Sequence, residues 1–405
     1  MRRPSWRPGS KRRGREQGRV FLHVGAPKTG TTYLQKVLWR NAAELREDGL
    51  LCPGPGEAGH HQAALELRGA SFGKRRTDGA TTWHDLVAAA KGWSGDVLVS
   101  SELLAWATPE QVELAVEAWR GREVHVVMTL RDLARQVPAV WQEEVKNRRT
   151  LPYAEFLRAS VEAGATDPGP GGIWGGQDPR QVLGTWARGL PPERVHVVTV
   201  PPPGGSPTAL WERFCAVLGR DPELYDTRLP GANAGLGLAE ADLLRRVNLG
   251  LPEDFTWPSY ARMVKHGIAE SALAEASSGR KVVLPDEHRA ALAARSEEIV
   301  AHLTASGFDV VGDLEDLRVQ VPDEVGGPGR TEPDEDYVAQ AAVRAVVELL
   351  VKLQTSQTRV ASLRAELREH TLAGRRERAA SGLKEAVKRA APEPALRLVR
   401  RVRYR

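Results

Sequence analysis

Five residues in this chain have the type and setting to do chemistry: Lys28, Glu102, Arg131 and the pair His60-His61 with its second member as a candidate base. Lys28 lies in Gly25-Ala26-Pro27-Lys28-Thr29-Gly30-Thr31-Thr32, a run of small and hydroxyl residues around a single cation. Such a run offers backbone N–H groups, hydroxyls and one positive charge, the set that wraps a phosphate-like anion. Glu102 follows a short apolar run, Val97–Val99, and a carboxylate at that place can accept a proton from an attacking nucleophile. Arg131 follows the clearest strand-like run, Val124–Leu130, and its forked guanidinium suits a dianionic phosphate.

Each of these side chains needs a rigid element behind it. Val20–Val24 reads as a buried strand, the Gly/Pro-containing loop excludes a helix until Thr31 or Thr32 caps one, and Tyr33–Arg40 reads as that helix. Val97–Val99, Val124–Leu130 and Arg194–Val200 read as further strands, and Gln181–Leu190, Trp211–Leu218 and Leu238–Val247 as helices. The alternation predicts an α/β fold of P-loop type, a mostly parallel sheet flanked by helices, with a C-terminal helical extension. In such sheets ligands lie beyond the carboxyl ends of the strands, where Lys28, Glu102 and Arg131 all fall.

The loop is not a Walker A motif. Gly25 and Gly30 have the right separation, but Thr31 stands where that motif requires lysine. The lysine sits inside the loop, where it would face the bridging and leaving oxygens of a bound phosphoanhydride. No metal is expected from this arrangement. The stretch PKTGTTYLQ resembles the phosphosulfate-binding loop of the sulfotransferases that use 3′-phosphoadenosine 5′-phosphosulfate (PAPS), whose pattern is close to PK-[ST]-G-[ST]-[ST]-aromatic-Leu. The resemblance implies that Pro27, Lys28, Thr29, Gly30, Thr31 and Thr32 hold the 5′-phosphosulfate and that Lys28 stabilises the leaving phosphate. It implies that Arg131 grips the 3′-phosphate, and that Glu102 takes the place of the catalytic His in the Lys-Thr-His-Leu-Pro-like run of the cytosolic members. The family usually adds a serine eight residues after the arginine; here that residue is Ala139, so the second 3′-phosphate contact is either weakened or moved elsewhere, to Arg135 or Gln142.

The implied activity is transfer of a sulfuryl group from PAPS to a hydroxyl or amine, a carbohydrate or small metabolite being the acceptor class, with release of the nucleotide PAP. His60 and His61, in a Gly-rich turn before an apolar helix, are either a solvated cap or a border of the acceptor site. Glu102 could equally begin a helix whose dipole favours it, and Arg131-Asp132 could be a structural ion pair. Two other classes compete: a P-loop NTPase or kinase, and a non-catalytic nucleotide-binding scaffold, which Ala139 keeps in play. The loop 164–178, with Trp174, is either a lid or a mobile surface loop. Asn233-Ala234-Gly235-Leu236-Gly237 either lines the pocket or caps the next helix.

Charge is unevenly distributed over the 405 residues. Residues 1–19 carry eight Lys/Arg and one Glu, residues 374–405 eleven and three, so a net charge of +5 conceals an acidic body of about −10. The body therefore offers no basic face for specific nucleic acid. Two cysteines, Cys52 and Cys215, are too few for a disulfide framework or a zinc site, which fits a cytoplasmic protein. No apolar run approaches the ~20 residues of a spanning helix, and the basic N-terminus lacks the apolar centre of a secretory signal. The expected organisation is a disordered basic tail (1–19), an α/β domain (20–320), an acidic Pro/Gly linker (321–335), a helix (336–372) and a partly helical basic tail (373–405). Val346, Leu353, Val360 and Leu367 recur every seven residues in the helix, a short seam that could form a homodimer or fold back on the domain. The tails could rest on an anionic membrane surface.

Overall fold

Six strands make the sheet in the computed structural model, which describes residues 18–69, 80–162, 173–229, 235–274, 281–320 and 330–390. They are β1 (Val20–His23), β2 (Leu50–Leu51), β3 (Asp96–Ser100), β4 (Val124–Leu130), β5 (Val195–Thr199) and β6 (Asp309–Val311), in the order β2-β3-β1-β4-β5-β6. Every pairing is parallel, so the expected mostly parallel sheet is wholly parallel among the described residues. β1, β3, β4 and β5 are buried along their whole length, as a sheet covered on both faces requires.

One face is covered by the helices Thr31–Arg40 and Ala209–Leu218. Leu34, Val37, Leu38, Trp211 and Phe214 from these helices pack with Phe21, Leu98, Val127 and Val198 from four strands into one core. The helix Pro179–Trp186 lies against β4, and the Trp186 indole N–H donates to the Leu104 carbonyl at 3.0 Å. At the amino ends of the strands Arg19 clamps Asp96 (Nη2–Oδ2 2.7 Å) and Arg220 joins it at 3.2 Å, fixing β1 against β3. The carboxyl ends are left to carry loops.

β1 sits between β3 and β4, with its register pairing Val20 with Val97 on one side and with Val124 on the other. This brings the residues after β1, β3 and β4 side by side, although they are about thirty to a hundred positions apart in the chain.

The chain divides into two compact units, Met1–Ala342 and Val343–Arg405. The helix expected over 336–372 runs from Glu335 to Ala390. In the second unit its apolar side chains Val346, Leu349, Leu353, Val360, Leu363 and Leu367 are exposed. Most of the expected linker (321–329), most of the N-terminal basic tail (1–17) and the last part of the C-terminal basic tail (391–405) lie outside the described residues. Among the described residues no helix is long and apolar enough to cross a membrane.

Candidate active site

The loop after β1 is held down by β4. Val24 N–H donates to the Val127 carbonyl at 2.9 Å and Ala26 N–H to the Thr129 carbonyl at 3.0 Å, while Thr129 N–H returns to the Gly25 carbonyl. The backbone then turns through two left-handed residues, Lys28 (φ 66°) and Gly30 (φ 86°). For lysine that conformation costs on the order of 1 kcal/mol, so the surrounding bonds must enforce it. Gly30 is required twice over, because a Cβ there would lie 2.5 Å from Leu210 Cδ2 as well as at positive φ. Gly30 has no side chain to cap the helix Thr31–Arg40, and the first-turn N–H groups open toward the loop.

The hydroxyls of the loop divide by role. Thr29 is fully buried, and its Oγ1 donates to the Ala26 carbonyl and touches Thr129 Oγ1, each at 2.5 Å. Its hydroxyl therefore shapes the loop, and only its backbone can serve an anion. Thr31 is buried at the helix start, Thr32 is exposed, and Pro27 is buried beneath the turn.

Lys28 faces a carboxylate that the sequence did not single out. Its Nζ lies 3.2 Å from Glu143 Oε2, in the last turn of the helix Leu133–Lys146. Lys265, on the π-helical segment Ala261–Leu273, donates to Glu143 Oε1 at 2.9 Å and to Asn147 Oδ1 at 2.8 Å. Burial alone would raise the Glu143 carboxyl, but Lys28, Lys265 and Lys146 outweigh it and hold the group at about 2. Burial in turn pushes Lys146 down, against the pull of Glu143.

Glu102 opens the short 3-10 turn Glu102–Trp106 directly after β3. The buried Gln35, one turn into the loop helix, donates from Nε2 to Glu102 Oε2 at 3.0 Å and to Ser100 Oγ at 3.3 Å. Ser100 Oγ meets His23 Nδ1 at 2.8 Å, and His23 Nε2 meets Thr129 Oγ1 at 3.3 Å. A continuous polar chain thus runs from Glu102 through Gln35, Ser100, His23 and Thr129 to Thr29. His23 is fully enclosed, and burial pushes it down to about 3, so it stays neutral inside this chain.

The adjacent histidines part company. They lie within the helix Glu57–Leu67, not in a turn before it. His60 is buried, with Nε2–H donating to the Pro53 carbonyl at 2.8 Å and Nδ1 accepting from Ser100 N–H at 3.2 Å. Burial pushes it down to about 4 despite those bonds. Both ring nitrogens are spent on backbone, so His60 braces β3 and is no reserve base. His61 turns toward the site: burial lowers it, Glu102 opposes that, and Lys265 reinforces it. Glu57, at the start of the same helix, is raised by burial and by Glu102, with Lys36 opposing.

Arg131 donates from Nη1 to the Lys28 carbonyl at 3.3 Å, tying the strand-end arginine to the loop. Its Nε is buried with no partner among the described residues, an orphaned donor that a phosphate oxygen would satisfy. Beside it opens a small cleft lined by Leu130, Arg131, Leu133, Gln136, Gln177 and Pro179. Arg135 is already engaged, by Asp132 and by the Pro201 carbonyl at 3.1 Å. Gln142 donates to the Leu236 carbonyl at 3.0 Å, and Ala139 is half-buried on the same helix. Trp174, in the expected lid 164–178, is buried, with Arg295 stacked 3.7 Å over its ring and its N–H on the Ser160 carbonyl; residues 164–172 of that loop lie outside the described residues. Asn233 and Ala234 do too. Among the described residues no group of three or more His, Cys, Asp and Glu side chains is placed to hold a metal ion.

No family model matches this sequence, and no curated protein matches it. Two solved structures do. The sulfotransferase from Alicyclobacillus acidocaldarius is 18% identical, over 52% of this chain and 85% of that one, with a TM-score of 0.37. The sulfotransferase domain from the curacin biosynthetic pathway is 13% identical, over 73% of this chain and 100% of that one, with a TM-score of 0.31. Both likenesses are remote.

Proposed function

We propose that the protein transfers a sulfuryl group from PAPS to a hydroxyl or amine of an acceptor, a carbohydrate or small metabolite, and releases PAP. The acceptor atom would attack sulfur in line. A bond from that atom to sulfur forms as the bond from sulfur to the 5′-phosphate oxygen breaks, and the electron pair leaves on PAP. The acceptor proton passes to the Glu102 carboxylate, with His61 as the second candidate base. Lys28 and the N–H groups of the first helical turn neutralise charge on the departing phosphate. Arg131 takes the 3′-phosphate; Arg135 is a weaker candidate, because its guanidinium is already bonded to Asp132 and Pro201.

One observation carries this reading. The loop lysine, a strand-end glutamate and a strand-end arginine meet at one edge of β3, β1 and β4, joined by the Gln35–Glu102 bond and by the Arg131 bond to the Lys28 carbonyl. Incubation with labelled PAPS and cell extract, followed by identification of the labelled product, tests it. Lys28→Ala should abolish labelling while leaving the protein folded; full labelling by that variant would remove the loop from the mechanism. Tighter binding of ATP with magnesium than of PAP would favour an NTPase or kinase instead, and no micromolar binding of PAP a non-catalytic scaffold.

We further infer a cytoplasmic homodimer joined through the C-terminal helix, with basic tails that rest on anionic membrane surfaces. The exposure of Val346, Leu349, Leu353, Val360, Leu363 and Leu367 in the second unit supports the dimer, because these positions lie three, four or seven residues apart along one helical stripe.

A further inference from the structure

Glu143 stands where the charge of a ligand belongs. Its carboxylate is shared between two lysines, Oε2 with Lys28 at 3.2 Å and Oε1 with Lys265 at 2.9 Å. The contacts join segments 115 and 122 positions apart. They are also reachable from solvent, since the Lys28 and Glu143 side chains are 31% and 30% exposed. The clamp of Arg19 on Asp96 is a useful contrast: it is more deeply buried and lies at the far end of the strands, away from the loop. A loop lysine cannot serve an anionic ligand fully while it neutralises a carboxylate, because the two negative charges compete for one ammonium and repel each other.

We propose that Glu143 is an internal counter-ion that fills the anion seat of the loop and must surrender Lys28 when an anionic donor group arrives, remaining bound to Lys265. Donor affinity is then set by an exchange, one carboxylate for one phosphate-type group, and not by Lys28 alone. Lys265 and Asn147 are the receiving side of that exchange, because they hold the Glu143 carboxylate and each other without Lys28. The inference takes only the identity of the donor from the proposed function; the competition itself requires nothing more than an anion in the loop.

The test is titration calorimetry of the full-length protein with PAP and, separately, with inorganic pyrophosphate. Glu143→Gln keeps the shape and removes the charge. It should tighten both ligands about tenfold, which is ~1.4 kcal/mol and slightly above the usual range for a partly exposed ion pair. Glu143→Ala should act in the same direction by a different route. In the Lys28→Ala background, Glu143→Gln should change affinity less than threefold, because the competition runs through Lys28. Unchanged or weaker binding by both Glu143 variants would overturn the proposal, even with wild-type PAP binding intact. Tightening of pyrophosphate in a protein that ignores PAP would uphold the counter-ion and overturn the sulfotransferase reading. A wild-type protein that binds neither ligand would overturn both.

Discussion

Lowering the pH from 7 to 5 should strip several kcal/mol from the folded state through two enclosed histidines. His23 and His60 are held at about 3 and about 4, each by burial. In the unfolded chain both return to about 6.5. Their folded values are depressed, so the native state resists the protons that the unfolded chain accepts. The stability they support is complete above pH ~6.5 and is lost as pH falls toward their folded values. At pH 5 the unfolded form gains about 1.5 log units of proton binding per histidine, or ~2 kcal/mol each and ~4 kcal/mol together. His61 and His125, also lowered by burial, add to the loss; Glu57, raised by burial and by Glu102, opposes it. Glu143, held at about 2, contributes only at lower pH. Urea unfolding followed by tryptophan fluorescence at pH 7 and pH 5 measures the difference. His60→Gln keeps a donor for the Pro53 carbonyl but cannot titrate, so its loss between the two pH values should be smaller than wild type by ~2 kcal/mol, whatever the substitution costs at pH 7. An identical pH 7-to-5 loss in His60→Gln and wild type would refute the reasoning.

Two further outcomes are expected. Gln35→Leu should lower kcat about tenfold with little change in the KM for PAPS, because it removes the donor to Glu102 Oε2 and leaves the loop backbone intact; a rise in KM with kcat unchanged would make Gln35 a donor-site residue instead. Leu353→Asp should convert a dimer to a monomer in sedimentation of the full chain, since a buried charge in a helix seam costs several kcal/mol; a wild-type protein that sediments as a monomer at micromolar concentration would end the dimer proposal.

The central strands were legible because fully buried parallel strands are written as near-continuous apolar runs, here Val-rich with single His or Thr interruptions. β1 and β3 each differ from the expected span by one or two residues, and β4 matches it from end to end. β2 and β6 were not legible. They have two and three residues, lie at the two edges of the sheet and are partly exposed, so their pairing leaves no run to read. The C-terminal helix, expected over 336–372 with a partly helical tail beyond it, runs as one helix to Ala390, because only the isolated glycines Gly374 and Gly382 interrupt its helix-forming residues.

For the candidate site, the sequence alone marked out as candidates the residues whose chemistry is local. Lys28 is marked by its small-residue loop, and Glu102 and Arg131 by their places at strand ends, where an α/β sheet collects its ligands. What the sequence could not supply was partnership across the fold. His60 and His61 are neighbours of one type, and only the packing of their helix against β3 sends the first inward to the backbone and leaves the second beside Glu102. Gln35, Glu143 and Lys265 look like ordinary polar positions on helices. Their roles come from contacts 67, 115 and 122 residues away, made when the strand order sets β1 between β3 and β4 and the packed helices bring their ends over the loop. A side chain's chemistry is carried by its type, but its ion pair depends on distance in space, and that distance is fixed only when the sheet and its helices have closed around the site.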